Sequence, residues 1–180
     1  MEIERATPED YAGIIELQSA NYLENLTERE REQGFLSAQF TQPQVAAMAG
    51  DLGIMVARDR GRIAGYVCSH RIDLAPQPPL IEAMVRCCAT ASYQGKPLVG
   101  KRLFAYGPVC IARARRGRGL LRELYRALLA ELAGRFEAGV TLVAEDNPHS
   151  FRAHVDGLGM VKVGRFEHGG RGYHLLAFAA

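Results

Sequence analysis

The stretch VCIARARRGRGLL, residues 109–121, joins an apolar strand to a helix through a turn of arginine and glycine. Its first three residues predict the end of a buried strand, and the leucines from Leu120 onward recur on one face of an amphipathic helix. The first turn of a helix leaves backbone N–H groups unpaired and carries partial positive charge. Gly117 and Gly119 allow that backbone to approach a ligand closely. The junction therefore predicts a site for a phosphate or pyrophosphate.

Arginine is concentrated at this junction, in a chain whose formal net charge is only +2. The arginines are Arg113, Arg115, Arg116, Arg118 and Arg122. Their clustering indicates an anionic ligand, although a solvated surface loop would carry arginine in the same way. The pattern is neither the dinucleotide G-x-G-x-x-G nor a Walker loop. The residues alone therefore indicate a pyrophosphate without identifying the molecule that carries it.

Outward from the junction, hydrophobic periodicity predicts alternating strands and helices in one domain, residues 1–180. Strands are predicted at 2–6, 53–58, 63–70, 101–112, 139–145, 161–167 and 173–179, and helices at 8–22, 42–50, 80–91, 120–132 and 148–157. This order indicates an α/β sandwich with a mixed central sheet.

Composition excludes several classes of protein. Hydrophobic residues make up 48% and charged residues 23%, as in ordinary soluble globular domains. No apolar run reaches the length of a membrane span, and the acidic N-terminus lacks the apolar core of a signal peptide. Cys68, Cys87, Cys88 and Cys110 show neither CxxC nor zinc spacing, so buried free thiols are expected, with a vicinal redox pair at 87–88 as the rarer alternative. We expect a cytoplasmic protein without a metal or a membrane partner. We also expect no nucleic-acid partner, since no aromatic residues are interleaved with the arginines.

Two motifs resemble the GNAT acyltransferase superfamily, in which a strand is followed by Arg/Gln-x-x-Gly-x-Gly/Ala and a helix. This chain has Arg116-Gly117-Arg118-Gly119-Leu120-Leu121, which departs from the pattern at its sixth position. After the apolar strand at 139–145 comes Asn147-Pro148-His149-Ser150, then His154 and Leu158-Gly159-Met160. This second stretch is similar to the Asn-x-x-Ser helix of the family and its closing turn. The interval from His154 to Gly159 is one residue longer than usual, which predicts a bulge or a shifted turn.

The resemblance implies a mixed central sheet of about seven strands flanked by helices and splayed between its fourth and fifth strands. Acetyl-CoA would be the co-substrate, with its pantetheine arm lying along the fourth strand like an extra strand and its pyrophosphate on the amides of the glycine turn. The residues that the resemblance assigns to coenzyme A are Val109, Cys110, Ile111, Arg116, Gly117, Arg118, Gly119, Leu120, Leu121, Asn147 and Ser150.

The resemblance also implies N-acetyl transfer from acetyl-CoA to a primary amine by direct attack, or alternatively a catalytically silent acyl-CoA sensor of the same fold. The chemistry needs a base for the amine, a fixed donor for the oxyanion and a proton donor for the leaving thiolate. Glu145 is the candidate base and the backbone N–H of Cys110 the candidate oxyanion donor. His154 is the candidate proton donor. For Glu145 a structural salt bridge, and for His154 packing against the sheet, remain alternatives.

Two aromatic residues are candidates for the acceptor site. Phe35, in an apolar island of a polar region, and Tyr106, just before the end of the fourth strand, could line the opening, with core packing as the alternative for each. The apolar setting of Cys110 argues against a covalent acyl-cysteine. The acceptor is expected to be a small-molecule or peptide amine, and the sequence leaves monomer and homodimer equally open.

Overall fold

The computed structural model describes residues 1–74 and 76–180. In chain order the strands are β1 (Glu2–Arg5), β2 (Ile54–Asp59), β3 (Arg62–Arg71), β4 (Ser92–Tyr93), β5 (Lys96–Pro97), β6 (Leu103–Ile111), β7 (Ala138–Ala144), β8 (Val161–His168) and β9 (Arg171–Ala179). The helices are α1 (Tyr11–Ser19), α2 (Glu28–Arg31), α3 (Gln42–Gly50), α4 (Pro79–Cys88), α5 (Leu120–Leu132) and α6 (Pro148–Leu158).

Seven of these strands form one mixed sheet in the order β1-β2-β3-β6-β7-β9-β8. The pairing of β6 with β7 is parallel and joins Leu103–Ala105 to Ala138–Val140. The β7–β9 pairing is antiparallel and involves every residue of β7. The predicted seven-stranded mixed sheet with flanking helices is confirmed. The β6–β7 ladder involves the first three residues of each strand, and the splay between the fourth and fifth strands stays a prediction.

The chain folds as two compact units, residues 1–70 with 106–132 and residues 71–105 with 133–180. In the first unit, α5 packs against β1 and β2. Its leucines at 120, 124, 128 and 132 are all at most 2% exposed, so these members of the predicted leucine face are buried, whereas Leu121 is half-buried. A separate cluster in this unit joins Ile14 and Val45, from α1 and α3, to Tyr66 and Cys110 of the sheet.

In the second unit, α4 packs against β8 and β9. Its core contains Met84, Leu98, Val140 and Leu175. The sequence predicted a bulge or a shifted turn at the end of α6. The structure instead has one more residue of regular helix there. The helix runs to Leu158 and ends at Gly159, whose φ of 77° is the left-handed conformation that glycine adopts most easily.

Every strand and helix predicted from periodicity is present, with ends shifted by a few residues. The helix predicted over 8–22 is a 3₁₀ turn at Pro8–Asp10 followed by α1. Among the α-helices and β-strands of the described residues, two features have no sequence prediction, α2 with four residues and the β4–β5 hairpin with two residues in each strand. Both are too short to show a period. In the part of the chain that the structure describes, no helix is long and apolar enough to cross a membrane.

Gly139 offers a test of core packing in the second unit. A Cβ there would collide with the ring of Phe178 and lie 2.9 Å from Cζ of Phe104. Replacing Gly139 with Val should lower the free energy of unfolding by about 1–3 kcal/mol, the usual cost of overpacking. Urea denaturation measures this change. The matched control is Gly50→Ala at the end of α3, where a Cβ meets nothing within 4 Å. Equal stability of the two variants would contradict this description of the core.

Candidate functional site

The C-terminal half of β6 has one backbone edge paired with β3 and the other directed away from it. The Ala112 N–H donates to the Ala64 carbonyl at 2.9 Å. The Cys110 carbonyl lies 3.2 Å from where a Cβ of Gly65 would stand. Because backbone groups alternate between the two edges of a strand, the N–H and C=O of Cys110 face β3. The same groups of Val109 and Ile111 face the opposite edge.

This alternation bears on two predicted roles. Val109 and Ile111 present their backbone on the edge where the resemblance puts pantetheine. The N–H of Cys110, the candidate oxyanion donor, faces β3 and is directed away from that edge. The sequence fails to anticipate this because the role of a backbone group in a strand depends on the register with the neighbouring strand.

Arg116, the first residue of the glycine motif, is held by the protein itself. Its Nε donates to the Ile111 carbonyl at 3.0 Å, and its two terminal nitrogens donate to the Gln33 carbonyl and to Oδ1 of Asn21, each at 2.7 Å. The guanidinium therefore ties the start of the turn to the end of β6 and to the segment that follows α1. These three hydrogen bonds explain why an arginine stands at this position, because they hold the start of the turn in place.

Two of the other junction arginines pair with acids. Arg113 donates to Oε1 of Glu30 at 2.7 Å, and this hydrogen bond, together with the Thr27 cap, lowers the pKa of Glu30 to about 2. Arg115 pairs with Asp59. Arg118 is exposed and makes no hydrogen bond or ion pair with the residues that the structure describes. The local excess of positive charge is thus smaller than the sequence suggests, and Arg118 is the cation best placed to face an anion.

The glycine turn itself is open. Gly117 and Gly119 have φ of 70° and 85°, and a Cβ at either position would meet nothing within 4 Å. Both glycines are needed for backbone conformation. The N–H groups of Arg122 and Glu123 bond to the Gly119 carbonyl. Those of Leu120 and Leu121 come before the first intrahelical acceptor, so they have no partner within the helix.

The remaining first-unit candidates are partly or wholly buried. Tyr106 is 3% exposed and packs edge-on against Tyr125, with ring centroids 5.9 Å apart. Phe35 is half-buried and precedes Leu36, which bridges to Tyr22. Burial raises the pKa of Cys110 to about 12, so its thiol is protonated and unreactive at neutral pH. All four cysteines are free thiols.

In the second unit, the start of α6 brings together Asn147, Ser150 and His154. Oδ1 of Asn147 caps the helix by accepting from the Ser150 N–H at 3.2 Å. Nδ1 of His154 lies 2.7 Å from the Ser150 carbonyl and 3.3 Å from Oγ of Ser150. A carbonyl can only accept, so Nδ1 carries the proton. Burial lowers the pKa of His154, which favours the neutral ring. In this tautomer Nε2 is an acceptor, and a role as proton donor requires a second proton.

Glu145, the candidate base at the end of β7, is ion-paired. Both carboxylate oxygens accept from Arg165, at 2.8 and 3.0 Å. Its Oε1 lies 3.9 Å from Nδ1 of His174. The hydrogen bonds from Arg165 lower the pKa of Glu145, which weakens the carboxylate as a base. The structure thus gives this residue the salt bridge that the sequence left open.

A polar residue that the sequence patterns do not single out is His70, near the end of β3. It is half-buried, and its Nδ1 is buried without a hydrogen-bond partner among the described residues. Its sequence signal is a polar residue two positions beyond Cys68, on the same face of a strand that is otherwise apolar there.

Most of the chain matches a known protein family. The model of the acetyltransferase (GNAT) family matches residues 12–160, most of the chain. The chain belongs to the GNAT acetyltransferase family. No curated protein sequence matches it significantly.

Solved structures of GNAT proteins share this fold at low sequence identity. A GNAT acetyltransferase from Streptococcus agalactiae is 16% identical, with a TM-score of 0.68 over 99% of this chain and 95% of that one. The protein yncA from Salmonella typhimurium, solved with its cofactor acetyl-CoA, is 16% identical, with a TM-score of 0.62 over 99% and 92%. A GNAT acetyltransferase from Brucella melitensis in complex with acetyl-CoA is 20% identical, with a TM-score of 0.53 over 99% and 88%.

The two arginines of the motif should differ in their effect on stability. Arg116→Ala removes three hydrogen bonds and leaves polar partners unsatisfied, so we expect a loss of about 1–3 kcal/mol in the free energy of unfolding. Arg118→Ala, at an exposed position, serves as the matched control and should change it by less than about 0.5 kcal/mol. Urea denaturation decides between them, and an unchanged midpoint for Arg116→Ala would show that the guanidinium does not hold the turn.

Proposed function

We propose that the protein is an acetyl-CoA-dependent N-acetyltransferase that acts on a primary amine by direct attack on the thioester. The observation that carries this proposal is the open glycine turn in a GNAT-family chain, where two glycines with positive φ lead into the first N–H groups of α5, which have no partner within the helix. Such a turn suits a pyrophosphate, because several backbone donors converge on one anion without a side chain in the way.

The proposed coenzyme site uses the backbone more than the side chains. Pantetheine would bond to Val109 and to the N–H of Ile111 on the outward edge of β6, since the Ile111 carbonyl already accepts from Arg116. The pyrophosphate would meet the amides from Gly117 to Leu121, with Arg118 as the neighbouring cation. Leu121, where the family prefers glycine or alanine, is half-buried. Asn147 and Ser150 stay candidates for the pantetheine arm.

The state of the Cys110 thiol supports direct attack. Cys110, with a pKa of about 12, does not supply a thiolate for a covalent acyl-enzyme. We therefore propose that the amine attacks the thioester itself. A free amine with a pKa of about 10.4 is less than one part in a thousand neutral at pH 7, so a base is needed. On the outward edge of β6, the N–H of Val109 or Ile111 is our candidate for the oxyanion donor.

The alternative is a silent acyl-CoA sensor, and one observation favours it. The two side chains first considered for catalysis are both engaged, since Glu145 is bonded to Arg165 and His154 to Ser150. A sensor would bind the coenzyme and leave its thioester intact. The two functions differ in what they do with an acceptor, which we propose to be a small-molecule or peptide amine. The enzyme would transfer the acetyl group to this amine, and the sensor would not.

Free thiols at all four cysteines fit a reducing compartment, for which we propose the cytoplasm.

The proposed function is tested by calorimetric titration with acetyl-CoA, CoA and ATP, followed by measurement of thiol release from acetyl-CoA in the presence of an amine panel. An enzyme should bind acetyl-CoA and CoA much more tightly than ATP and release CoA only when an amine is present. Tight binding without thiol release from any amine would favour the sensor. No binding would contradict both functions.

A glycine substitution tests the location of the pyrophosphate. Gly119→Val would place a branched side chain in the open turn and strain its backbone, so we expect acetyl-CoA affinity to fall by at least tenfold. Gly61→Val is the matched control, because Gly61, in the β2–β3 turn, also has positive φ (77°) and open space around its Cβ position. Calorimetry gives both affinities. A similar loss in the two variants would mean that strain alone, rather than the site, accounts for the effect.

A further inference from the structure

The second unit contains a cleft that the proposed coenzyme site does not use. Its volume is about 570 Å³, and its lining comes from four stretches of chain, 71–73, 85–89, 98–103 and 135–136. All four stretches lie within the second unit. A cleft of this volume suits a small organic molecule, since ligand pockets commonly measure about 300–1,000 Å³. None of the residues assigned above to coenzyme A belongs to this lining.

Part of the lining is aliphatic and is held in place by the core of the unit. Leu98 is a member of that core, and Ile72 and Leu103 pack against it. Val85, from α4, is half-buried, and Val99 is 63% exposed although its side chain is apolar. An aliphatic ligand in the cleft would remove some of this apolar surface from water, which is favourable.

The lining also carries an excess of positive charge. Its basic residues are Arg71, Lys101, Arg102 and Arg135. Both carboxylate oxygens of Asp73 accept from Arg71, at 2.9 and 2.6 Å. Lys101 and Arg102 share the carboxylate of Glu137, with nitrogen–oxygen distances of 3.7 and 3.8 Å. Four cations are therefore offset by two carboxylates, and the remaining positive charge favours an anion.

Arg135 is the basic residue of the lining whose charge no acid offsets among the described residues. Its guanidinium carbon lies 5.8 Å from the centre of the Phe136 ring, which also lines the cleft. An arginine beside an aromatic ring keeps N–H groups available at the edge of the guanidinium plane. The Arg135 carbonyl accepts from Nη1 of Arg102 at 3.0 Å, which helps to fix the backbone of this stretch. The exposed side chain of Arg135 is thus the donor best placed for a ligand.

We propose that this cleft binds an aliphatic carboxylate, with the carboxylate on Arg135 and the hydrocarbon chain against the apolar part of the lining. A guanidinium donates two parallel N–H···O bonds to a planar carboxylate, so one arginine without an acidic partner matches one such group. The inference goes beyond the proposed function and does not depend on it, because the lining and the proposed coenzyme contacts share no residue.

Simpler occupants match only half of the cleft. An inorganic anion would satisfy Arg135 and leave the apolar lining in water. A hydrocarbon without charge would cover that lining and leave the excess positive charge unmatched. The two features together specify a ligand with an anionic head and an apolar body.

Calorimetric titration with octanoate tests the proposal, with acetate and 1-octanol as probes of the head and of the chain alone. Octanoate should bind saturably and more tightly than either probe by at least about tenfold. Arg135→Gln should weaken octanoate binding by about tenfold, because it removes the charge-assisted hydrogen bonds to the carboxylate. The matched control is Arg86→Gln, since Arg86 is an exposed arginine of α4 next to Val85 that does not line the cleft. This control should stay within about twofold of the parent, because an exposed charge away from the ligand is screened.

Glu137→Gln should have the opposite effect on octanoate binding. Neutralising this residue leaves the charges of Lys101 and Arg102 without their acid, so octanoate affinity should rise by about threefold. Glutamine can still accept from the Arg102 N–H, which donates to Oε2 of Glu137 at 2.9 Å. The gain should shrink at about 0.5 M NaCl, because salt screens exposed charges. A loss of affinity in this variant would contradict the role given to the cations.

The outcomes separate the cleft from the proposed function. No saturable binding of octanoate to the parent overturns the cleft proposal, and so does an equal loss in Arg135→Gln and Arg86→Gln. Competitive displacement of octanoate by acetyl-CoA would put the ligand in the coenzyme site and also overturn it. If Arg135→Gln fails to fold, NMR of the ¹⁵N-labelled parent decides, since octanoate should shift the amides of 98–103 and leave those of 109–121 unchanged. A parent that binds octanoate but no acetyl-CoA contradicts the proposed function alone.

Discussion

The backbone of β6 beyond Ala105 sets the constraint on which the proposed site depends. One edge of this segment is committed to β3, as the Ala112 N–H and the Cys110 carbonyl indicate, and strand alternation directs Val109 and Ile111 to the other edge. A polar edge of this kind needs a partner, and an extended amide chain such as pantetheine can supply one. The glycine turn follows directly, so the outward N–H groups of the strand and the first N–H groups of α5 follow one another along the chain.

Arginine serves two separate purposes at this junction. Arg113, Arg115 and Arg116 hold the turn to the rest of the first unit, through Glu30, Asp59 and the Asn21–Gln33 segment. These contacts position the backbone donors and reduce the net positive charge. An open turn of glycines is entropically costly to order, so bonds on its N-terminal side help to keep the amides in place before a ligand arrives. Arg118 remains exposed, as a residue that attracts an anion should be.

The sequence predicted most of the fold because its periodic segments are long. The leucine stripe of α5 and the apolar run of β7 specify their elements locally, whereas α2 and the β4–β5 hairpin are too short to show a pattern. The location of the glycine turn was predictable for the same reason. The state of each side chain was not, because Glu145 meets Arg165 across 20 positions and Arg116 meets Asn21 across 95. Pairing over such separations sets pKa values and hydrogen bonds, and a single sequence does not contain it.

Two predicted catalytic residues illustrate how this limit affects a search for catalytic groups. Glu145 and His154 attract attention because they stand beside a recognisable motif, yet stable hydrogen bonds hold both. A group that must change its protonation state during a reaction is better left partly unsatisfied, with the cost met by the surrounding fold. The hydrogen bonds that a candidate already makes therefore bear more directly on its fitness as a base than its distance from a motif along the sequence.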